Sequence, residues 1–407
     1  MGKNVLISGA SIAGPALAYW LGRYGFRPTV VELAPALRGG GRPVDFRGET
    51  HLTVLERMGV LEQLRQIATG GGEMRFVDRD NRQLLYLPPD FTGGEVEVPR
   101  GDLAQVLYRH SLPTTEYIFG DSVTGLAETA TGVRAAFRNG APREFDLVIG
   151  ADGLHSNVRR LAFGAEERFV SHLGYYAATW QLPNYLGIER GSVGYNTPGR
   201  LASVAADPRD PAKAGAFFVF AAPRLDYDRH DPAQQKALIA DAFAGLGWEV
   251  PRLLDSLRLA PELYFDSISR ADVGAWSKGR IGLVGDAACG ATIGGMGTGT
   301  GVVAAYVLAG ELARANGDHR AGFTRYEQLM RGYAEGCQKG GDRTGKFLAP
   351  GTASGLRFRN TLLSRPFFLN WMLSTGKKVS STIALPDYRA ELTGAATCVP
   401  ASPAPGR

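Results

Sequence analysis

The spacing of apolar and polar positions changes repeatedly along this chain, and each change marks a new kind of element. Residues 3–8, Lys-Asn-Val-Leu-Ile-Ser, form a short apolar run with the length of a buried parallel strand. The pattern then predicts a helix from about Ile12 to Tyr24, stopped near Gly25, and a second strand over Arg27–Glu32. Leu52, Leu55, Met58, Leu61 and Leu64 keep helical spacing and predict helix across 48–69. From about 73 to 98 the pattern shortens into strand-like pieces, broken by Pro88-Pro89 and Gly93-Gly94. Arg100 to His110 reads as helix again. Residues 117–150 alternate, with Asn139-Gly140 as a hairpin turn. Strands dominate 171–268, notably Tyr175–Leu182 and Ala216–Ala221, with a helical piece at 232–245. A buried strand is expected over 278–286, a long helix over 297–316 and further helices over 319–378. The Ala-, Pro-, Thr- and Gly-rich tail from Ala390 is expected to be disordered.

Composition narrows the class of protein. A chain of 407 residues, 44% of them hydrophobic, suggests two or three domains with substantial cores. The net charge of +5 is the small excess of 45 basic over 40 acidic residues, and no basic block carries interleaved aromatics. Nucleic acid is therefore a poor partner for it. Cys289, Cys337 and Cys398 lack metal or redox spacing, which fits a reducing cytoplasm. The longest apolar stretches are too short or too glycine-rich to span a bilayer, and the N-terminus is expected to start a strand rather than a signal peptide.

Three dispersed segments carry the chemistry. In Gly9-Ala-Ser-Ile-Ala-Gly14 the first glycine turns sharply out of the strand, and the last allows close packing of helix on sheet. Ser11, Ile12 and Ala13 complete a turn whose helix offers free N–H groups to a pyrophosphate. Ser11 replaces the usual middle glycine, and its hydroxyl can itself donate. Glu32, 18 residues after Gly14 at the end of the second strand, is placed to accept from ribose hydroxyls. Gly150-Ala-Asp152-Gly153 follows another apolar run. Gly282-Leu-Val-Gly-Asp286-Ala-Ala288 follows a third, and Gly294-Gly-Met-Gly297-Thr298-Gly-Thr-Gly301 runs from there into an apolar helix. Asp286 at the carboxyl end of the sheet suits a polyol such as a ribityl chain, which favours FAD over NAD. The N–H groups at Gly297 and Thr298 suit negative charge on a reduced flavin.

Gly150-Ala-Asp-Gly153-x-x-Ser156-x-Val-Arg159 resembles the DG motif of class A flavin monooxygenases, the para-hydroxybenzoate hydroxylase-like family. Gly279-Arg-Ile-Gly-Leu-Val-Gly-Asp-Ala-Ala288 resembles its GD motif, and tetracycline-inactivating and polyketide-tailoring monooxygenases are similar. The resemblance spans roughly residues 1–386. It implies an α/β fold: a Rossmann-like FAD-binding domain of the GR2 type, interrupted by an α+β substrate domain with a mainly antiparallel sheet, plus C-terminal helices. The expected boundaries are 1–72, 98–170 and 269–340 for the FAD domain, and 73–97 and 171–268 for the substrate domain. A helical segment over 341–389 and a tail over 390–407 complete the chain.

The resemblance also implies roles for single residues. Arg100, in Pro99-Arg100-Gly-Asp-Leu103, matches an arginine that reaches the flavin cofactor. Asp45 matches an acid beside the isoalloxazine ring, Arg38 a residue implicated in nicotinamide contact, and Val123 a residue whose backbone meets the adenine. Two departures stand out. Leu33 follows Glu32 where many members have arginine, and Cys289-Gly290 and Ile293 replace the usual His-Pro and loop proline. The implied activity uses NADPH or NADH and O2, through a flavin C4a-hydroperoxide, to hydroxylate or epoxidise a hydrophobic aromatic or polyketide-like molecule. The implied assembly is a monomer or homodimer. An FAD-dependent dehydrogenase or reductase of the geranylgeranyl-reductase type is the alternative on the same scaffold. Tyr175, Tyr176, Trp180, Tyr195, Phe217, Phe218 and Phe220 read mostly as sheet core, and His172 as a structural histidine.

Overall fold

The computed structural model describes residues 2–37, 39, 43–89, 93–293, 296–341, 343–379 and 383–392. A six-stranded sheet holds its first strand, Asn4–Ser8, between Leu147–Gly150 on one side and Arg27–Glu32 on the other. Ile281–Leu283 and Glu116–Phe119 extend the parallel arrangement outward, and Ser277–Lys278 adds a short antiparallel edge. Val5, Leu6 and Ile7 are wholly buried, as are Leu147, Val148 and Ile149. That explains why these strands are continuous apolar runs rather than alternating ones: both faces are buried, in a core that also takes in Val133, Ala135 and Phe145 from a separate three-stranded sheet. Each such side chain contributes about 1.5–3 kcal/mol by leaving water.

The strand order reverses at the first strand, with Arg27–Glu32 and Glu116–Phe119 to one side and Leu147–Gly150 and Ile281–Leu283 to the other, so a crevice opens at its carboxyl end. The helix Ala13–Arg23 follows at once and packs along the Gly297–Arg314 helix, whose residues from Gly299 to Ala313 are buried. A seven-stranded sheet forms the second layer system, in the order Tyr264–Ala271, Val170–Pro183, Lys213–Ala221, Arg200–Ala206, Ser192–Thr197, Met74–Val77 and Gln83–Leu87. It is antiparallel except where Ser192–Thr197 meets Met74–Val77. Its two faces have separate cores. Tyr176, Trp180, Phe218 and Phe220 pack against the helices Pro232–Phe243 and Val250–Leu259. Tyr175, Leu201, Phe217 and Val219 face Ile293 and the C-terminal helices. The aromatics expected in the sheet core are there, divided by the two-residue period of the strands.

Three expectations need adjustment. The helix expected over 48–69 is two, Gly48–Met58 and Leu61–Gln66, because Gly59 takes a left-handed conformation (φ 77°) that ends the first. The strand expected over 278–286 ends at Leu283, and Asp286 opens a helical turn, Asp286–Cys289. The Val250–Leu259 helix was not anticipated. Near the expected tail, Arg389–Glu391 form a short 3-10 turn, with Glu391 paired to Arg314. Residues 393–407 lie outside the described residues.

Candidate functional site

The three glycine segments converge at the crevice, and each pair of them is joined. Ser8 at the end of the first strand donates to the Asp152 carboxylate (3.3 Å). Arg159, from the second segment, donates to the carbonyl of Ala287 in the third (2.9 Å) and to that of Leu154 (2.5 Å). A Cβ at Gly285 would stand 3.1 Å from the methyl of Ala13 in the first segment. Glycine is required there on a second count, because φ is 63°.

The first turn fits a dinucleotide phosphate by its own geometry. A Cβ at Gly14 would fall 1.9 Å from the Gly9 carbonyl oxygen, so only glycine lets the helix start this close to the strand. Gly9 has φ 108°, and a side chain there would meet the Ala151 carbonyl at 2.5 Å. The Glu32 carboxylate accepts from the N–H groups of Ala10 (2.8 Å) and Ala34 (3.0 Å). It is thereby fixed at the rim of the turn with acceptor capacity left for hydroxyl groups. Arg100 donates to the Ser11 hydroxyl (3.2 Å), which brings two sequence-predicted residues from distant segments to the same turn.

Asp286 lies across the crevice, half-buried, and no described group donates to its carboxylate. Burial pushes its carboxyl up from the ordinary range, and the Arg100 guanidinium pulls it back. A buried carboxylate without a donor is costly unless a ligand supplies one. It shares a small cleft with Gly285, Cys289, Gly297, Thr300 and Cys337. A Cβ on Gly290 would come within 2.7 Å of Asp286, so the Cys-Gly departure is tied to how closely the following loop folds back. The N-terminus of the Gly297–Arg314 helix, with Gly297 and Thr298, stands beside this carboxylate.

Other expected residues have different settings. The Asp152 carboxylate accepts inside the protein from the Ser8 and Ser156 hydroxyls and from Val158 N–H (3.0 Å), and Ser156 caps the Asn157–Ala162 helix by accepting from Arg159 N–H. The Val123 carbonyl accepts from Asn157 (2.6 Å). Asp45 is ion-paired to Arg47. Arg38 lies outside the described residues, as do Gly294 and Gly295. His172 reaches the Ala222 carbonyl (2.9 Å) and leans on Tyr176, in keeping with a structural role.

Sequence reasoning missed His51 and Tyr264. His51 is buried between Gly299 and Tyr333; a Cβ on Gly299 would strike its ring at 2.3 Å. Burial lowers its pKa to about 4, against the pull of Asp45, so the ring is neutral near pH 7. Its Nδ1 accepts from Arg47 N–H (3.3 Å), so Nε2 carries the proton and donates to the Tyr333 hydroxyl (2.8 Å). Tyr264 lies in the fields of Arg100, Asp266 and Asp286. Neither residue has a local motif; only the fold brings them to the crevice.

His155, inside the second segment, bridges Glu166 and Asp266, both at 3.0 Å. Burial pulls its pKa down, but the hydrogen bonds to the two carboxylates outweigh this and raise it to about 9. Burial pushes Glu166 up, and His155 and Arg229 overcome that to hold it at about 2. The histidine contribution is complete below the unfolded pKa of 6.5 and is lost as pH rises through about 9. The Glu166 contribution is complete above 4.5 and is lost as pH falls through about 2. Thermal melts of His155→Gln and the parent should therefore differ most between these limits. The difference should be on the order of 1–2 kcal/mol, discounted for partial exposure, and should shrink at pH 10.

Comparison with known proteins agrees with this geometry. Residues 3–335 match the family model described as an FAD binding domain. An uncharacterized protein of Mycobacterium tuberculosis is 43% identical, over 82% of this chain and 91% of its own. A flavin-dependent monooxygenase of Legionella longbeachae is 36% identical, over 95% and 99%. Among solved structures, the tetracycline destructase Tet(51) superposes with a TM-score of 0.84 at 31% identity, over 95% of this chain and 100% of that one. With its three motif segments joined at one crevice and these relatives along nearly its whole length, the chain belongs to the class A FAD-dependent monooxygenases and binds FAD.

Proposed function

We propose that this protein uses NADPH or NADH and O2 to hydroxylate or epoxidise a hydrophobic, aromatic or polyketide-like small molecule. The observation that carries this reading is the apolar packing around the loop that follows Asp286. Ile293, in the loop after Asp286, packs against the apolar face of the seven-stranded sheet formed by Tyr175, Leu201, Phe217 and Val219. Apolar packing at this point, beside the segment that carries Asp286, favours an apolar substrate. The tetracycline-inactivating activity in the name of the Tet(51) neighbour supports a polycyclic one.

In this reading the Gly9–Gly14 turn, with Ser11, Ile12, Ala13 and Arg100, holds the pyrophosphate, and Glu32 holds the adenosine ribose. Val123 flanks the adenine, and Asp152 acts through the strand ends it ties together. Asp286 accepts from the ribityl hydroxyls, while Gly297 and Thr298 direct N–H groups at the flavin. Asp45 borders the ring, and Arg38 serves the nicotinamide donor. FAD, when bound, supplies the electron transfer and the activation of oxygen. The protein's own residues orient the substrate, exclude water and keep charge balanced at Arg100 and Asp286. The nicotinamide donor visits transiently, since the chain carries one phosphate fingerprint. We assign 1–72, 98–170 and 269–340 to the FAD domain, and 73–97 with 171–268 to the substrate domain, in a cytoplasmic enzyme. The reductase alternative is not favoured, because the named full-length relatives are monooxygenases.

Asp286→Ala should weaken FAD binding roughly 10- to 100-fold, the loss of a charge-assisted hydrogen bond, as read by flavin fluorescence in a titration of apoprotein. For the reaction itself, anaerobic mixing with NADPH and separately NADH should bleach the flavin. Admitting O2 with tetracycline as probe should then yield a product heavier by one oxygen atom. Bleaching followed by release of hydrogen peroxide alone, with every aromatic and polyketide probe, would count against oxygen insertion.

A further inference from the structure

The C-terminal helices carry a feature that the flavin chemistry does not use. Contrary to the expectation that no basic block carries interleaved aromatics, the chain from Arg343 to Pro386 has seven Lys or Arg residues and no Asp or Glu, so this stretch more than accounts for the net charge of +5. The described part folds as the helices Thr344–Leu348, Ala353–Leu363 and Pro366–Val379. Their inner sides close the apolar sheet face through Leu363, Leu369 and Met372. Their outer sides are aromatic. Phe358 is 69% exposed, Phe367 76% and Trp371 59%, with Phe368 in edge contact with Phe367. Phe367 and Trp371, four residues apart, share one helix face, and Phe368 flanks it, three residues before Trp371. Arg343, Lys346, Arg357 and Arg365 are exposed in the same stretch, and none pairs with a carboxylate among the described residues.

We propose that this face docks on an anionic lipid surface. Exposed Phe and Trp on short helices, flanked only by cations, match the chemistry of an interfacial element: rings enter the headgroup boundary while Lys and Arg meet lipid phosphates. No helix among the described residues is long and apolar enough to cross a membrane, so the association is peripheral. A second copy of the chain is a poorer occupant, because a two-fold interface would set one all-basic patch against its twin. Single-stranded nucleic acid is poorer too, because it asks for a charged groove with stacking rings inside, and these rings stand on outward helix faces. Docked in this way, the protein sets the helices that close its apolar sheet face against a phase in which a hydrophobic substrate dissolves.

The test is co-sedimentation of the FAD-loaded full chain with phosphatidylcholine vesicles, with and without phosphatidylglycerol. At least tenfold more protein should pellet with the anionic vesicles, and raising the salt should reduce this. Phe358→Ser with Phe367→Ser should return pelleting to the level of phosphatidylcholine alone while leaving the flavin spectrum and melting temperature unchanged. Should that pair melt early, Arg357→Glu with Arg365→Glu supplies the same test from the charge side. Three results would overturn the proposal: equal pelleting on both vesicle types, a concentration-dependent dimer abolished by the Phe substitutions, or tighter binding to an RNA homopolymer than to vesicles.

Discussion

Arg159→Ala is expected to lower stability by about 3–5 kcal/mol, among the largest effects of any single substitution outside the apolar core. The guanidinium is fully buried, and its two donated bonds end on backbone carbonyls of different segments, Leu154 and Ala287. Glu166 stands 4.0 Å away. Alanine leaves both carbonyls and that carboxylate short of a partner and opens a cavity beside Phe169. Because Ala287 follows Asp286 directly, the loss should also loosen the crevice. Melting of the apoprotein should fall by roughly 4–6 °C. Arg159→Lys should recover only part of this, since one ammonium cannot reproduce two divergent N–H donors.

Gly14→Ala should reduce FAD affinity at least 100-fold, about 2.7 kcal/mol. The added methyl would sit 1.9 Å from the Gly9 carbonyl oxygen, which is backbone and cannot swing aside. Helix Ala13–Arg23 must therefore move away from the strand, and its N–H groups leave the phosphate turn. Gly215→Ala is the matched control, since a Cβ there meets nothing within 4 Å. Titrating FAD into the two apoproteins should separate them by the full factor. Equal affinities would remove the turn from the cofactor site.

Much of this arrangement was legible because glycines were read as backbone constraints. Gly9, Gly14 and Gly285 sit where a side chain would collide or where φ is positive, and such positions leave a mark in one sequence. Glu32 was legible by its distance from the turn. The limits were equally physical. A single helix over 48–69 was expected because Leu55, Met58, Leu61 and Leu64 hold helical spacing through the break at Gly59, so periodicity masked the stop. His51 and Tyr264 escaped because burial against Gly299, or proximity to Arg100 and Asp286, arises only when segments far apart in sequence meet. The link from Arg159 to Ala287 is likewise a tertiary fact, although both residues lay inside motifs already singled out.

Isotope labelling separates oxygen insertion from the alternatives. The FAD-loaded protein would turn over tetracycline and a panel of phenolic and polyketide probes with NADPH under oxygen-18 gas in ordinary water, with the products weighed by mass spectrometry. The expected product carries one heavy oxygen atom and forms in step with NADPH oxidation. Product oxygen drawn from water, or a product gaining hydrogen and no oxygen, would contradict oxygen insertion.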